Sequence, residues 1–463
     1  MRILSLVSLF TILPAVLTAQ SNPHRARERD LLEELVEINT SDSARHTDLA
    51  AQAMARHLVS AGIPEGDVRI MELTPRMHTL VARYRGKGRG LRPILLMAHL
   101  DVVDARKEDW TVDPYTFLER EGYYYGRGSS DNKAGAAILV ANFVRYREES
   151  YVPERDLIIV LTGDEETSSD AIATLLSRHR DLVDAEFALN TDAGGGEVLD
   201  GKPTQFVVQT AEKVYLSFSL EVRNKGGHSS VPEADNAIYR LSRALDRLGS
   251  HRFPVRLNAT TRAYFEQAAA AQPAAVASDM RALARSGDSA AATRLSQVPY
   301  YNSLMRTTCV ATRLFAGHAD NALPQLARAT VNCRLLPDAS PDSVQAALAR
   351  VVRDSAIQIS QVDTPTPSPP SPLRPDVMEP IERLAREMWP QVAIVPEMST
   401  GATDGLYVRN AGIPVFGVSA VFERIDDVRA HGRDERIGVK AYHDAATFWY
   451  RLVKTLGSAR PGT

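Results

Sequence analysis

"IVLTGDEETSS", residues 159–169, passes directly from an apolar run into three consecutive carboxylates, Asp164, Glu165 and Glu166. A short apolar run bounded by turn-forming residues reads as a strand buried on both faces. Three like charges at its end repel one another, so the arrangement calls for a positive partner that the neighbouring residues do not supply. Two further segments have the same form: "PILLMA" (93–98) runs into His99-Leu100-Asp101, and "EFALNT" (186–191) runs into Asp192. Helical patterns such as "KAGAAILVANFVRYREE" (133–149) lie between them. Apolar strands alternating with helices predict an α/β fold built on a largely parallel sheet. In open sheets of this kind ligands sit outside the carboxyl ends of the strands, so these polar groups should converge on one crevice.

Working outward, residues 28–61 read as a helix pair that stops at Gly62. After residue 212 the pattern changes. "KVYLSFSLEVRN" (213–224) alternates apolar and polar residues as a half-exposed antiparallel strand does, and "NAIYRLSRALDRL" (236–248) follows as an amphipathic helix. We therefore expect a first part of the main domain over 21–212, an inserted α+β domain over 213–362 with an Ala-rich helical insertion at 262–296, and a second part over 363–463. The proline-rich "TPTPSPPSPLRP" (364–375) reads as an extended connector back to the first domain. "IPVFGVS" (413–419) then resumes the sheet, and a helix at 439–456 closes the chain. A length of 463 residues suits two or three such units.

With 57 acidic and 54 basic residues the formal charge is -3, and no long basic run tracks a phosphate backbone, which argues against nucleic acid as a partner. "MRILSLVSLFTILPAVLTAQ" (1–20) has Arg2, an apolar stretch and small residues around Ala19, the layout of a secretory signal; an uncleaved anchor is the competing reading. No later segment is apolar enough to span a bilayer, so a secreted or periplasmic chain with no stable span is expected. Cys309 and Cys333 are too few for a disulfide framework or a thiolate zinc site. "TTCVATRLF" (307–315) and "RATVNCRLL" (328–336) would place them opposite each other in a hairpin centred near Asn321, as a disulfide or as two core thiols.

Each polar strand end has a structural explanation when taken alone: a hydrogen-bonding His, a helix-capping Asp, a solvated acidic turn. Together with Asp131 in "YGRGSSDNKAG" (125–135), four strand or loop ends supply only His and carboxylate. One or two divalent cations would resolve the repulsion. Histidine with carboxylates and no thiolate suits zinc, with cobalt or manganese as substitutes, and one further carboxylate must remain as a base.

"MAHLDVV", "GRGSSDNKAG", "GDEE", "NTDAGG", "GGHSSVP" and "AHGRDE" follow one another in this order. The set resembles the zinc carboxypeptidase and aminoacylase superfamily, which includes glutamate carboxypeptidase, carboxypeptidase S, acetylornithine deacetylase and succinyl-diaminopimelate desuccinylase. The insertion at 262–296 is most similar to carboxypeptidase S-like members. The resemblance implies two zinc ions bridged by Asp131, with His99 and Asp192 completing one site and Glu166 and His431 the other. It implies Glu165 as general base, Asp101 as the residue orienting His99, and a cis peptide at Asp131-Asn132. The inserted domain would be a lid carrying the oxyanion-stabilising His228. Asn321 and Arg334 would hold the substrate, Arg334 by its terminal carboxylate, with Gly401 and Thr403 of "STGATDG" as further partners. Two departures stand out: Asp434 occupies the usual Asn position of the last motif, and Asp192 stands where some members have Glu. The resemblance thus implies a dinuclear zinc hydrolase that cleaves the amide bond to a C-terminal amino acid in small peptides or N-acyl amino acids. An aminoacylase or deacetylase, and a noncatalytic peptide binder on the same scaffold, are the alternatives. A homodimer through the lid is a further possibility that the family offers.

Overall fold

Every residue of Ile94–His99 and of Leu157–Thr162 is buried, and the two strands pair in parallel in register. The alternation of side chains explains why both runs are apolar up to their last residue. Ile94, Leu96 and Ala98 point into one core layer, whereas Leu95 and Met97 point into another on the opposite face of the sheet. A one-residue slip would exchange these sets, each large side chain carrying about 1.5–3 kcal/mol of burial. The computed structural model describes residues 23–458 apart from Arg89 and Asp363. The expected leader at 1–20 lies outside the described residues.

The central sheet is mixed and largely parallel where it matters for the site: Leu157–Thr162, Ile94–His99, Phe187–Asn190 and Val415–Gly417 lie side by side and run the same way. Helices Pro23–Glu37, Thr47–Ser60, Lys133–Glu148 and Val439–Ser458 cover one face. Asp170–Arg178 and Gly405–Asn410 cover part of the other. The strand ends named above therefore open at one rim. The fold is α/β with the expected parallel centre.

A second sheet, antiparallel, has the order Thr308–Ala316, Leu326–Leu335, Val214–Arg223, Gln358–Gln361. Its buried face, including Leu216, Phe218 and Leu220, packs on helices Ala237–Ser250 and Pro341–Val352. Cys309 and Cys333 are opposite each other and joined as a disulfide, which sets aside the reading of two thiols and ties a largely exposed edge strand to its neighbour. The helical insertion departs from expectation. It comprises Ala259–Ala268, Ala274–Ser286, Ser289–Leu295 and Pro299–Met305, and its core is shared with Val207 and Val395 of the large sheet rather than with the small one. Those two valines lie on Lys202–Glu212 and Ala393–Ser399, a parallel pair whose apolar face the insertion covers. No described helix is long and apolar enough to cross a membrane.

Candidate metal centre

His99 closes its strand with Nδ1 donating to the main-chain carbonyl of Asp101 at 2.9 Å. In the neutral ring this leaves the Nε2 lone pair free for a metal. Nε2 lies 3.0 Å from one oxygen of Asp131 and 3.5 Å from Asp192. The other oxygen of Asp131 lies 3.1 Å from His431 Nε2, which is itself 2.9 Å from Glu166. Asp131 thus turns its two oxygens to two imidazoles, each accompanied by one further carboxylate. Two donors on one tetrahedral zinc lie about 3.3 Å apart when each bond is about 2.0–2.1 Å, so the separations fit a shared ion on either side of Asp131. Glu165 joins His99 and Asp192 within 4.8 Å.

The charges show what the cluster lacks. Burial by itself would raise Asp131, but hydrogen bonds from His431 and His99 hold it far below the usual carboxylate range. Burial and the neighbouring Asp192 push Glu165 up, and burial pushes Asp192 up. Hydrogen bonds to Asp131 and Glu166 raise His431 to about 10. Protonated imidazoles are therefore the counter-charges here, a place that divalent ions fill at greater charge density.

Local backbone geometry delivers these groups. Gly163 passes so near the neighbouring strand that a Cβ would lie 2.4 Å from the carbonyl oxygen of His78. At Gly135 a Cβ would meet Thr191 Oγ1 at 2.1 Å, so only glycine lets the helix after Asp131 approach the Phe187–Asn190 strand end. The Asp131-Asn132 peptide is cis. Asp101 stands against His99, as the resemblance implies, and has a second task as well. Its carboxylate accepts the main-chain N–H groups of Glu165 and Glu166 at 3.1 and 2.9 Å and stands 3.6 Å from His99 Nδ1. It fixes the acidic turn, while its main-chain carbonyl orients His99.

One positioning group, Glu435, escaped the sequence reading although it lies in a quoted motif, and Asp434, the departure noted in that motif, proves to be another. Glu435, fully buried, accepts the N–H groups of Ser130 and Asp131 at 2.9 and 3.1 Å through one oxygen and pairs with Arg127 at 2.6 Å through the other. Asp434 accepts the N–H of Thr111 at 2.7 Å and its hydroxyl at 3.0 Å. Only the two acids and the His of "AHGRDE" hinted at a second anchoring function.

The remaining expected residues fall into two groups. His228 and Asn321 sit exposed on a short ribbon, Gly227–His228 against Ala322–Leu323, apart from the ligand cluster. The N–H of Ser230 donates to His228 Nδ1 at 3.1 Å, so the neutral ring carries its proton on Nε2. Arg334, half-buried on the small sheet, reaches across to the carbonyl of Thr400 at 3.1 Å and lies 4.7 Å over the Tyr215 ring. Burial lowers its pKa, and no described carboxylate pairs with it. The Thr403 hydroxyl donates to Glu212 at 2.7 Å and the Gly401 N–H to Ser399 at 3.0 Å, so both donors are engaged within the protein. Two cavities flank the cluster. One of about 250 Å³ is lined by Glu165, Tyr215 and Thr403, and one of about 670 Å³ by Asp131 and Asp192.

Comparison with known proteins bears on this arrangement. Residues 95–455 match the model of peptidase family M20/M25/M40. The chain is 28% identical over 392 residues to the N-fatty-acyl-amino acid synthase/hydrolase of Homo sapiens, covering 81% of this chain and 78% of that protein. It is equally 28% identical over 388 residues to the probable carboxypeptidase S-like 2 of Dictyostelium discoideum, covering 81% and 74%. Among solved structures, the M20 family metallo-carboxypeptidase Sso-CP2 from Sulfolobus solfataricus superposes with a TM-score of 0.69 at 17% identity, covering 93% of this chain and 99% of that one.

Proposed function

Since the chain belongs to peptidase family M20/M25/M40 and is a hydrolase of that family, we propose that it is a dinuclear zinc enzyme that releases a C-terminal amino acid from small peptides or N-acyl amino acids. The observation that carries this reading is Asp131 presenting its two oxygens to His99 and His431. His99, Asp131 and Asp192 would hold one ion, and Asp131, Glu166 and His431 the other. Bound there, the metals supply Lewis-acid polarisation of the amide carbonyl and of the attacking water.

The chain's own groups do the rest. Glu165, a carboxylate beside the ligands but assigned to neither ion, takes the proton of the attacking water and returns it to the departing amine. His228, with its proton on Nε2, donates to the developing oxyanion once the small unit, acting as a lid, or a partner copy brings it to the metals. Arg334 holds the terminal carboxylate, which supports the peptidase reading over that of a general amidase. The relatives named as N-fatty-acyl-amino acid hydrolases favour the second reading, an aminoacylase-type enzyme that uses the same residues. Export to the periplasm or medium, and a dimer through the small unit, belong to the same proposal; the Cys309–Cys333 disulfide supports an oxidising compartment.

The test is metal analysis followed by turnover of dipeptides and N-acyl amino acids by the zinc-loaded protein. Glu165→Gln should retain both metals and lose nearly all turnover, whereas Asp131→Asn should lose metal. Near-normal turnover by Glu165→Gln refutes the assignment of the base.

A further inference from the structure

The cavity of about 670 Å³ that shares Asp131 and Asp192 with the metal centre has walls of two kinds. Val207, Val421 and Val428 are apolar, while Glu197, Glu397 and Glu423 add three carboxylates beyond the ligands. No Lys, Arg or His is among the described residues that line it. Glu197 accepts only the Gln205 amide at 2.9 Å, and Glu397 accepts the Tyr300 hydroxyl at 2.5 Å. Both partners are neutral. The carboxylates of Glu435, Asp131 and Asp427 bear on Glu423, whose other side faces a separate cavity lined by Arg424, Arg436 and Lys440. Burial raises all three glutamates, Glu423 to about 7.

Zinc at the Asp131 end answers the repulsion there and leaves these glutamates with no cationic side chain on the wall of this cavity. A hydrocarbon chain in the cavity would set methylenes against partly buried carboxylates and satisfy none of them. An ammonium or guanidinium on an apolar stem satisfies both kinds of wall. Resting on the hydrolase reading above, we propose that this cavity receives the acyl side of the substrate and selects an acyl group bearing an organic cation, with Glu397 and Glu423 as its specificity-determining residues. Tyr300 comes from the last helix of the insertion, so the insertion builds the wall that holds Glu397 in place.

The experiment compares kcat/KM of the zinc-loaded enzyme for lysyl-alanine, Nα-acetyl-lysyl-alanine, norleucyl-alanine, Nα-acetyl-norleucyl-alanine and decanoyl-alanine. A cationic acyl group should exceed the uncharged acetyl-norleucyl and decanoyl groups by about 30-fold or more, the scale of a desolvated charge contact. If acetyl-lysyl retains the advantage, the side-chain cation is the one recognised. If acetylation removes it while norleucyl stays favoured over acetyl-norleucyl, the α-ammonium is. Either pattern supports the proposal. Glu397→Gln and Glu423→Gln should each bring the ratio of cationic to uncharged substrate toward one, and the ratio within one variant is independent of how much of it folds. Equal or faster cleavage of decanoyl-alanine or acetyl-norleucyl-alanine overturns the cation subsite and leaves the hydrolase reading intact. An unchanged ratio in both variants overturns the assignment to these glutamates. A panel in which nothing is cleaved overturns the hydrolase reading and this one with it.

Discussion

Replacing Arg334 by Ala should abolish the enzyme's preference for a free terminal carboxylate. Its guanidinium has five N–H donors, and the structure shows one of them on the Thr400 carbonyl at 3.1 Å and the plane resting 4.7 Å from the Tyr215 ring. No described carboxylate answers its charge, and burial already lowers its pKa. A substrate carboxylate can take two parallel donors of that fork, a geometry that Lys does not reproduce. Breaking one partner of such a desolvated pair costs about 2–5 kcal/mol. At about 1.36 kcal/mol per tenfold, that is a loss in kcat/KM of roughly 30-fold to several thousandfold. The assay is a matched pair of substrates, one ending in a free carboxylate and one in a carboxamide, cleaved by the parent, Arg334→Ala and Arg334→Lys. The parent should discriminate by this factor, Arg334→Lys weakly, and Arg334→Ala almost not at all. A parent that cleaves acid and amide equally, or an Arg334→Ala variant that keeps the full preference, refutes the reasoning and replaces the carboxypeptidase reading with that of a broader amidohydrolase.

Glu435→Ala leaves Arg127 buried without its partner and frees the Ser130-Asp131 backbone, so a destabilisation of about 3–5 kcal/mol and a weaker metal affinity are expected in urea melts and metal titrations; unchanged values in both would show that the clamp is idle. Because Asp131 and Glu166 hold His431 near a pKa of about 10, the metal-free protein carries that proton at neutral pH and must release it on binding. Zinc affinity should therefore rise with pH by roughly tenfold per unit for each proton displaced, and calorimetry in buffers of different ionisation enthalpy that detects no release contradicts this. His228→Ala should lower kcat by about 10²–10³ with little change in KM; equal kcat in variant and parent would leave His228 a turn residue. Substituting Ser for both Cys309 and Cys333, which are separated by 24 residues, should cost about 3.5 kcal/mol by chain entropy, read as earlier urea unfolding and faster proteolysis of the small unit; identical unfolding curves refute it.

The periodicity of local segments carried much of this molecule. Uninterrupted apolar runs such as 94–98 and 157–161 specify strands buried on both faces, and such strands require a parallel centre with helices on either side. The residues that end those strands were legible for the same reason, because chain direction alone sends His99, the acidic turn and Asp192 to one rim. What the pattern of neighbours does not encode is contact between distant segments. The Arg127–Glu435 pair joins residues 308 apart, and the clamp it forms on Asp131 exists only after the chain has closed. The helical insertion reads as part of the small unit by its place in the sequence, yet it docks on Val207 and Val395, since an apolar helix face goes to whichever sheet face the fold leaves uncovered. Thr403 and Gly401 stand in the expected loop, but Glu212 and Ser399 had already taken their donors. Glu197, Glu397 and Glu423 lie on three strands far apart along the chain and become one acidic wall only in the folded sheet. Burial periodicity is a property of single segments and is written in them, whereas charge pairing and cavity chemistry are properties of pairs of segments and arise when tertiary packing brings those segments together.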